Sequence, residues 1–509
     1  MSDFSENNRR LAKNTVLLYF RTIVVLIISL YLSRLLLRYL GVVDFGVYNV
    51  VGSVVVMFSF FNGAMSSAIQ RFISYELGRG TPSSINRIFS LCMTCQLLLV
   101  CIIFILLEVA GVFIINVFLN IPQDRLFAAN LVYQFSLLTF CFQMLKVPYD
   151  ATVVAYEQLS FYAYVSIFDV FLKLFLVLFL SFSQSDLLVI YGIGLMVIGL
   201  IQLMIYFLYC RKKFPITTFH LVWDKDIMIK IFSFTGWSLW GSTANVMSQK
   251  GFVLLLNVFW GVLLNAAYGI ASQVQAAFSA FMGSFETSFR PQLVKAYASK
   301  KYDYFFSLIN KSSKYSYALI FLPSIWAFCN IDSILKIWLG TVPAYCSVFC
   351  KYVILGIIID SISGAYYYAI SASGRIKKYQ LSITISFVVD IITSYALMKF
   401  SVSPAYLMIP KICTRGVANL MIGIYFMKVL YRFSVYKYAK TVLMPIAIIS
   451  ILMCIVMYLY SLIGFSGFAD LCFSLLIVLI VGVLLYYCIL FDKTERKFVA
   501  NKIRKFLVV

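Results

Sequence analysis

The chain alternates long apolar stretches with short polar segments that are mostly basic. About 20 consecutive apolar residues cross the hydrocarbon core of a bilayer as a helix. Because a helix satisfies its own backbone hydrogen bonds in lipid, the pattern predicts an all-α polytopic membrane protein with about 14 transmembrane helices. The seventh and eighth stretches are the least hydrophobic. The stretches cover residues 15–37, 46–68, 88–119, 128–153, 161–181, 186–209, 231–256, 263–288, 314–330, 347–370, 379–400, 404–427, 441–463 and 468–491.

Composition supports this class. Hydrophobic residues make up 62% of the 509 positions and charged residues only 12%, about half of the charged share usual in soluble proteins. A net charge of +22 could indicate nucleic-acid binding, but the basic residues lie in short loops between apolar stretches, so no nucleic-acid partner is predicted. The chain has one histidine, His220, and its Cys92-x-x-Cys95 pair has no second pair. We therefore predict no metal site and no cofactor.

The basic residues also predict the orientation of the helices. Clusters such as Arg9–Lys13, Arg211–Lys213 and the tail from Lys493 to Lys505 fall on one side. The opposite side carries only a few bases, which are Arg38, Arg125, Lys336, Lys351 and Lys399. Short cytoplasmic loops are rich in Lys and Arg, so both termini are predicted to be cytoplasmic.

An internal repeat appears when the chain is shifted by 220 residues. Residues 41–63 then show eight identities with residues 261–283, including Tyr48 with Tyr268 and Gly63 with Gly283. The repeated segments are stretches two and eight, which have the same orientation. This predicts two six-helix lobes related by a parallel pseudo-twofold axis, an arrangement known in secondary transporters. The predicted divisions are residues 1–213 for helices 1–6 (N-lobe), 214–430 for helices 7–12 (C-lobe), and 431–509 for helices 13–14 and the basic tail.

Polar side chains inside the apolar stretches are the candidate functional residues, because they are costly in lipid and usually face a cavity or one another. Basic residues predict a cationic cavity between the lobes that suits a phosphate or diphosphate; they are Arg21, Lys250, Lys411 and Arg415. A polar stripe on stretch seven predicts a water-exposed face; it comprises Ser238, Ser242, Asn245 and Gln249. Three acids also lie within stretches: Asp169, Asp360 and Asp390.

Purely structural interpretations remain open for several of these residues. Asp169 and Lys173 are four residues apart and could form an ion pair within their own helix. Asp360 or Asp390 could neutralise the bases of stretch twelve for packing alone. The polar stripe could instead serve close helix packing. Asp224 and Asp226 form a D-x-D, but in a short loop this pair is better interpreted as the start of an interfacial helix than as a catalytic metal site.

Several motifs resemble Wzx-type polysaccharide and O-antigen flippases of the multidrug/oligosaccharidyl-lipid/polysaccharide (MOP) superfamily, which also contains the MATE drug exporters. The likeness covers most of the chain and is most specific in its first 80 residues. The segments that carry it are Asn14-Thr15, Ser33-Arg34, Leu40–Gly52, Phe60–Ala68, Gln70–Phe72, Lys336–Gly340 and Ser371–Arg375.

The resemblance implies a flippase that moves an undecaprenyl-diphosphate-linked oligosaccharide from the cytoplasmic to the periplasmic leaflet of the bacterial inner membrane by alternating access. The implied partners are this lipid-linked glycan, membrane lipids and other polysaccharide-assembly proteins such as the polymerase and the chain-length regulator. The cavity bases would then bind the diphosphate, and the polar stripe would bind sugar hydroxyls. Arg21 falls where lipid II flippases of the superfamily carry a functional arginine. Coupling to H⁺ or Na⁺ would need a titrating acid, for which Asp169, Asp360 and Asp390 are candidates.

Two other functions compete with this expectation. An ion-coupled small-molecule (drug) antiporter of the same superfamily would favour acids and aromatic residues in the cavity over unpaired bases. A membrane polymerase or ligase would need a long external loop for its chemistry, and the sequence has none between the predicted helices. The chain is therefore predicted not to be an enzyme.

Overall fold

The computed structural model describes residues 2–56, 58–79, 82–113, 115, 123–183, 185–339, 342–462, 467–492 and 495–496. Every regular element among these residues is helical. Eleven helices in this part of the chain are long and apolar enough to cross a membrane, which confirms the predicted all-α polytopic class. The predicted basic tail from Lys493 to Lys505 lies outside the described residues except for residues 495 and 496.

The helices follow one another with short connections. In chain order they are α1 (Ser2–Val56), α2 (Ser59–Arg79), α3 (Pro82–Phe113), α4 (Leu126–Ala155), α5 (Leu159–Phe179), α6 (Leu187–Lys213), α7 (Lys225–Ala298), α8 (Tyr302–Leu339), α9 (Cys346–Ser373), α10 (Lys377–Lys399), α11 (Ile409–Lys411), α12 (Ala418–Tyr431), α13 (Val435–Tyr438), α14 (Met444–Ser461) and α15 (Phe468–Leu485). A π-helical segment, Ile412–Val417, joins α11 to α12.

Three of the fourteen predicted spans are not among the eleven membrane helices. The second (46–68) runs through residue 57, which lies outside the described residues. The seventh (231–256) and eighth (263–288) are both contained in the 74-residue helix α7. Polar residues such as Asn245, Gln249 and Lys250 lower the hydropathy of this helix, which agrees with its weak apolar signal in the sequence.

Helix α7 folds back on itself. The rings of Phe252 and Tyr268 lie 5.0 Å apart, whereas 16 residues of straight helix would separate them by about 24 Å. Towards its two ends, Thr235 bonds the sulfur of Met65 and Arg290 donates to Ser67, both on α2. Helix α7 therefore consists of two arms that run in opposite directions, as the predicted spans seven and eight require.

A sharp bend divides α1. Gly41 has φ 74° and ψ 174°, a backbone conformation that is essentially restricted to glycine. Just beyond the bend, Asp44 accepts hydrogen bonds from the Arg125 guanidinium. The same guanidinium donates to Asp186 at 2.8 Å, and Asp186 caps the first turn of α6. Arg125 thus ties the bend to the starts of α4 and α6.

The chain forms two compact units. Unit 1 contains Met1–Thr243 and Thr287–Lys301, and unit 2 contains Ala244–Glu286 and Tyr302–Val509. Unit 1 therefore includes the first part of α7, which the sequence analysis placed in the C-lobe. Unit 2 contains the remaining helices and the turn of α7.

Each unit has an apolar interior and exposes large apolar side chains, as expected of a protein surrounded by lipid. Phe89, Ile69 and Leu91 are completely buried in unit 1, and Phe349 and Leu256 are completely buried in unit 2. One face of α5 instead exposes a row of phenylalanines at helical spacing, which are Phe168, Phe171, Phe175 and Phe179.

Candidate functional site

Unit 2 contains a polar cavity of about 240 Å³. It brings together five of the sequence-predicted residues from three separate helical regions: Asn245, Gln249, Asp360, Lys411 and Arg415. Further polar groups in its lining were not predicted; they are Tyr268, Gln275, Ser279, Tyr352 and Asn419. A cavity of this volume has room for a phosphate-sized group together with water.

The basic side of the cavity is built on the segment from α11 to α12. Lys411, Arg415 and Asn419 are spaced four residues apart and all line the cavity, because residues at this spacing share one face of a helix. The segment is π-helical between Ile412 and Val417, and π-bulges are frequent at functional sites. Gly416 lies beside Ile359 of α9. A Cβ added at residue 416 would lie 3.3 Å from the Ile359 side chain.

Arg415 is held in place by neighbours on two helices. Its guanidinium donates a hydrogen bond to Asn245 Oδ1, and the same oxygen accepts from Gln249 Nε2 at 3.2 Å. The Arg415 guanidinium also lies 4.9 Å from the centroid of the Phe387 ring. These contacts leave further N–H groups of Arg415 to face the cavity, since a guanidinium has five.

Lys411 is the most isolated base of the site. Only 7% of it is exposed, and its Nζ has no hydrogen-bond partner among the described residues. The Nζ lies 3.6 Å from the centroid of the Phe252 ring and 5.3 Å from that of Tyr268. Aromatic faces stabilise a cation only in part, so this ammonium favours any anion that enters the cavity.

Two acids of unit 2 face these bases without a direct ion pair. Asp360 lines the cavity and interacts electrostatically with Arg415. Asp390 is 1% exposed, accepts a hydrogen bond from Ser248 Oγ at 2.8 Å, and interacts electrostatically with Lys411. Among the described residues, neither acid lies within 4 Å of Lys411 or Arg415.

The predicted polar stripe of α7 is divided between the two units. Asn245 and Gln249 line the cavity of unit 2. Ser238 and Ser242 belong to unit 1, where Ser238 is buried. Lys250 is exposed and does not contribute to the lining of this cavity.

Arg21 belongs to a separate polar cluster inside unit 1. Its guanidinium lies 5.1 Å from the centroid of the Tyr162 ring and interacts electrostatically with Asp150 of α4. Asp150 also interacts electrostatically with Lys146, four residues earlier on the same helix. Neither Asp150 nor Lys146 was predicted as a site residue, although both are ionisable residues near the end of stretch four.

Asp169 forms the ion pair that its spacing allowed. Lys173 Nζ lies 2.9 Å from Asp169 Oδ2, and Gln202 of α6 donates to Asp169 Oδ1. Gln202 in turn accepts a hydrogen bond from Lys146 at 2.8 Å. Both carboxylate oxygens of Asp169 are therefore engaged within unit 1.

The sequence also contained signals for the residues that were missed. Gln275 and Ser279 stand four apart on stretch eight, the same spacing that drew attention to the stripe on stretch seven. Asn419 continues the Lys411–Arg415 spacing by one more turn. Glu286, near the end of stretch eight, accepts a hydrogen bond from Tyr368 at 3.0 Å and contacts Gly364.

The lining of the cavity combines basic, acidic and neutral polar side chains. Two cations supply charge-assisted hydrogen bonds, and amide and hydroxyl groups provide neutral donors and acceptors. Among the residues that the structure describes, no cluster of three or more His, Cys, Asp and Glu side chains could hold a metal ion.

Sequence comparison finds one distant relative. No protein-family profile matches the chain. Over 322 residues it is 22% identical to an uncharacterized membrane protein, EpsK, of Bacillus subtilis (strain 168). The match covers 62% of this chain and 62% of that protein, so the chain spans less than two thirds of its relative.

Solved structures show the fold more clearly. A MATE protein in the straight conformation matches 84% of this chain and 97% of its own, with a TM-score of 0.70 and 11% identity. The MATE transporter VcmN of Vibrio cholerae in the bent form matches 84% of this chain and 98% of its own, with a TM-score of 0.68 and 13% identity. A MOP superfamily transporter of Pyrococcus furiosus matches 82% of this chain and 95% of its own, with a TM-score of 0.68 and 9% identity. Its binding pocket is described as having reverse polarity. The chain is therefore a multi-pass membrane protein with the fold of the MATE transporters.

Proposed function

We propose that this protein is a flippase that moves an undecaprenyl-diphosphate-linked oligosaccharide from the cytoplasmic to the periplasmic leaflet of the inner membrane by alternating access. The observation that carries the proposal is the cavity of unit 2, where Lys411 and Arg415 stand among amide side chains. Moving a diphosphate through hydrocarbon without a polar path is prohibitively costly, and a cationic cavity in a membrane protein lowers that cost.

The cavity suits the headgroup of such a lipid. Lys411 provides a buried ammonium that has no hydrogen-bond partner among the described residues, and Arg415 provides a guanidinium fixed by Asn245. Arg forms bidentate hydrogen bonds with phosphate, whereas Lys acts as a point charge. Asn419, Gln275 and neighbouring amides then match the hydroxyl groups of the sugars.

The comparisons support a transporter but leave its substrate open. The MATE fold is compatible with several cargoes, and the Pyrococcus furiosus transporter is described as having a reverse-polarity pocket that suggests a different function. The resemblance of the motifs between Leu40 and Phe72 to Wzx-type flippases favours a lipid-linked glycan. An inner-membrane location and cytoplasmic termini are part of this proposal.

The remaining predicted residues keep proposed roles outside this cavity. Arg21 and Lys250 are proposed to attract the diphosphate at other points of its path, and Ser238 and Ser242 to contact sugars there. For coupling to H⁺ or Na⁺ we favour Asp360 and Asp390, which face the cavity bases, over Asp169, whose two oxygens are already engaged.

Reconstituted vesicles test the function. Purified protein is placed in liposomes that contain a fluorescent undecaprenyl-diphosphate oligosaccharide, and an impermeant sugar oxidant reports the fraction in the outer leaflet. We expect the protein to expose the pool in the inner leaflet and Arg415→Gln to slow that exposure. Intact protein that leaves the inner pool protected would contradict the proposal.

A small-molecule antiporter is the second candidate. Asp360 and the Tyr268 and Phe387 rings in the cavity favour it, because acids and aromatic faces bind organic cations. The same vesicles separate the two functions: an antiporter would accumulate a cationic dye under a proton or sodium gradient, and the flippase would not.

A further inference from the structure

The connection between α6 and α7 in unit 1 holds three large apolar side chains outward. Phe219 is 40% exposed, Leu221 80% and Trp223 72%. The chain has no helix from Thr218 to Asp224, and both of these residues have extended backbone conformations. Phe219, Leu221 and Trp223 stand at alternate positions, as residues on one face of an extended segment do, and Val222 between the last two packs against the core. We call these three side chains the apolar face.

This segment is fixed to the protein despite its exposed face. Asn86 of α3 donates to the carbonyl oxygens of Ile216 and Thr218 at 2.7 and 2.8 Å. The backbone N–H of His220 donates to Ser90, also on α3, at 3.3 Å. Arg87 pairs with Asp224 at 2.6 Å, and Asp224 caps the start of α7. The apolar side chains are therefore presented by a pinned backbone and are not those of a loose loop.

Basic residues surround the apolar face. Exposed cations flank it on both sides; they are Arg211, Lys212, Lys213, Lys225 and Lys230. The acids nearby are Asp224, which is paired with Arg87, and Asp226. Along the chain, the segment is thus apolar in its middle and basic on both sides.

We propose that this segment, Phe219–Trp223 with its basic flanks, docks into the headgroup layer of an anionic membrane leaflet. The segment begins where α6, a candidate membrane helix, ends at Lys213, so it lies next to the point where the chain leaves the bilayer. Trp and Phe favour the membrane interface, and juxtamembrane Lys and Arg are attracted to anionic lipids. Docking would fix the first turn of α7 at the membrane surface, whatever substrate the protein moves.

Fluorescence of Trp223 tests the proposal. Purified protein in nanodiscs of phosphatidylglycerol or phosphatidylcholine is compared with its Trp223→Phe variant, and the difference spectrum isolates this residue from the other five tryptophans. In phosphatidylglycerol nanodiscs we expect the emission of Trp223 to be shifted to the blue, to be quenched by brominated lipid tails and to be protected from quenching by acrylamide. High salt or phosphatidylcholine should reduce all three effects.

A matched pair of variants separates apolar docking from charge. Leu221→Glu removes apolar area from the docking face, whereas His220→Glu adds the same charge at an exposed neighbour in the same pinned segment. We expect only Leu221→Glu to abolish the lipid quenching. Quenching of Trp223 by acrylamide but not by brominated lipid would overturn the proposal and leave the face to a protein partner. Equal quenching in both lipids at all salt concentrations would overturn its anionic preference.

Discussion

At the scale of single residues, the cavity of unit 2 depends on two bases with different surroundings. Arg415 is bonded to Asn245 and stacked near Phe387. Lys411 is buried against Phe252 and has no hydrogen-bond partner among the described residues. A buried charge without a partner costs folding free energy, so Lys411 is better explained by ligand binding than by stability.

This difference gives the first prediction. Replacing Lys411 by Met should weaken binding of a short-chain prenyl diphosphate about 10- to 100-fold, because hydrogen bonds to charged groups contribute roughly 1.5–3 kcal/mol. The same change should leave the melting temperature unchanged or higher, since Met fills the apolar site without the desolvation cost. Titration calorimetry and thermal unfolding in detergent measure the two effects.

Lys399→Met is the matched control for this prediction. Lys399 is an exposed base at the end of α10, outside the cavity lining. We expect it to change diphosphate affinity by less than Lys411→Met. Equal losses in both variants, or a large loss of stability in Lys411→Met alone, would contradict the assigned role of Lys411.

The sequence named four bases as candidates for one cavity, and the structure brings two of them, Lys411 and Arg415, into the same lining. Asn419, Gln275 and Ser279 were missed because neutral polar residues are common in membrane helices and carry a weaker signal. The stripe from Ser238 to Gln249 lies partly in each unit, which no pattern along a single helix can show.

At the scale of elements, the bend in α1 rests on Gly41. No atom lies within 4 Å of where its Cβ would be, so only backbone conformation opposes a side chain there. Gly41→Ala should destabilise the protein by about 1–3 kcal/mol, the usual cost of a residue in such a conformation. Thermal unfolding in detergent checks this value. Gly63→Ala, in a helix with equally open space, should have no destabilising effect, and equal loss in both variants would refute the explanation.

The contact between α2 and the end of α7 gives a second element-scale prediction. A Cβ on Gly78 would stand 2.6 Å from the Lys295 carbonyl oxygen and 2.7 Å from Ala298 Cβ. Gly78→Ala should therefore cost about 1–3 kcal/mol, as overpacking usually does. Gly236→Ala on α7 meets nothing within 4 Å and serves as the control. Unchanged stability of Gly78→Ala, measured by thermal unfolding, would contradict the close packing of these helices.

Hydropathy predicts where a membrane helix begins and ends when the stretch is strongly apolar. Most spans agree with helices of the structure, and α7 is the instructive exception. Its two arms form one helical element of 74 residues, while contacts such as Phe252–Tyr268 show that it reverses direction. Hydropathy detected two weak spans but could not show the helical connection between them.

At the scale of the whole molecule, the all-α membrane class followed from composition and spacing. The lobes, with limits at residues 213 and 430, stay a prediction. The compact unit 1 includes α7 to Thr243 and again from Thr287 to Lys301. Glu157 and Lys295, 2.9 Å apart, are an example of a contact between distant parts of the chain within unit 1, and hydropathy carries no information on such contacts.

The proposed function requires that the protein move a diphosphate-linked oligosaccharide across the membrane through a cavity that contains Lys411 and Arg415. The most direct test follows the lipid-linked oligosaccharide in cells depleted of the protein, with an impermeant probe reporting the leaflet that its sugars face. We predict that the completed intermediate accumulates on the cytoplasmic side and that surface polysaccharide is lost. The wild-type chain should restore both, and a folded Lys411→Met/Arg415→Gln chain should not. An unchanged pool with normal surface polysaccharide, in cells without a second flippase, would contradict the proposed function.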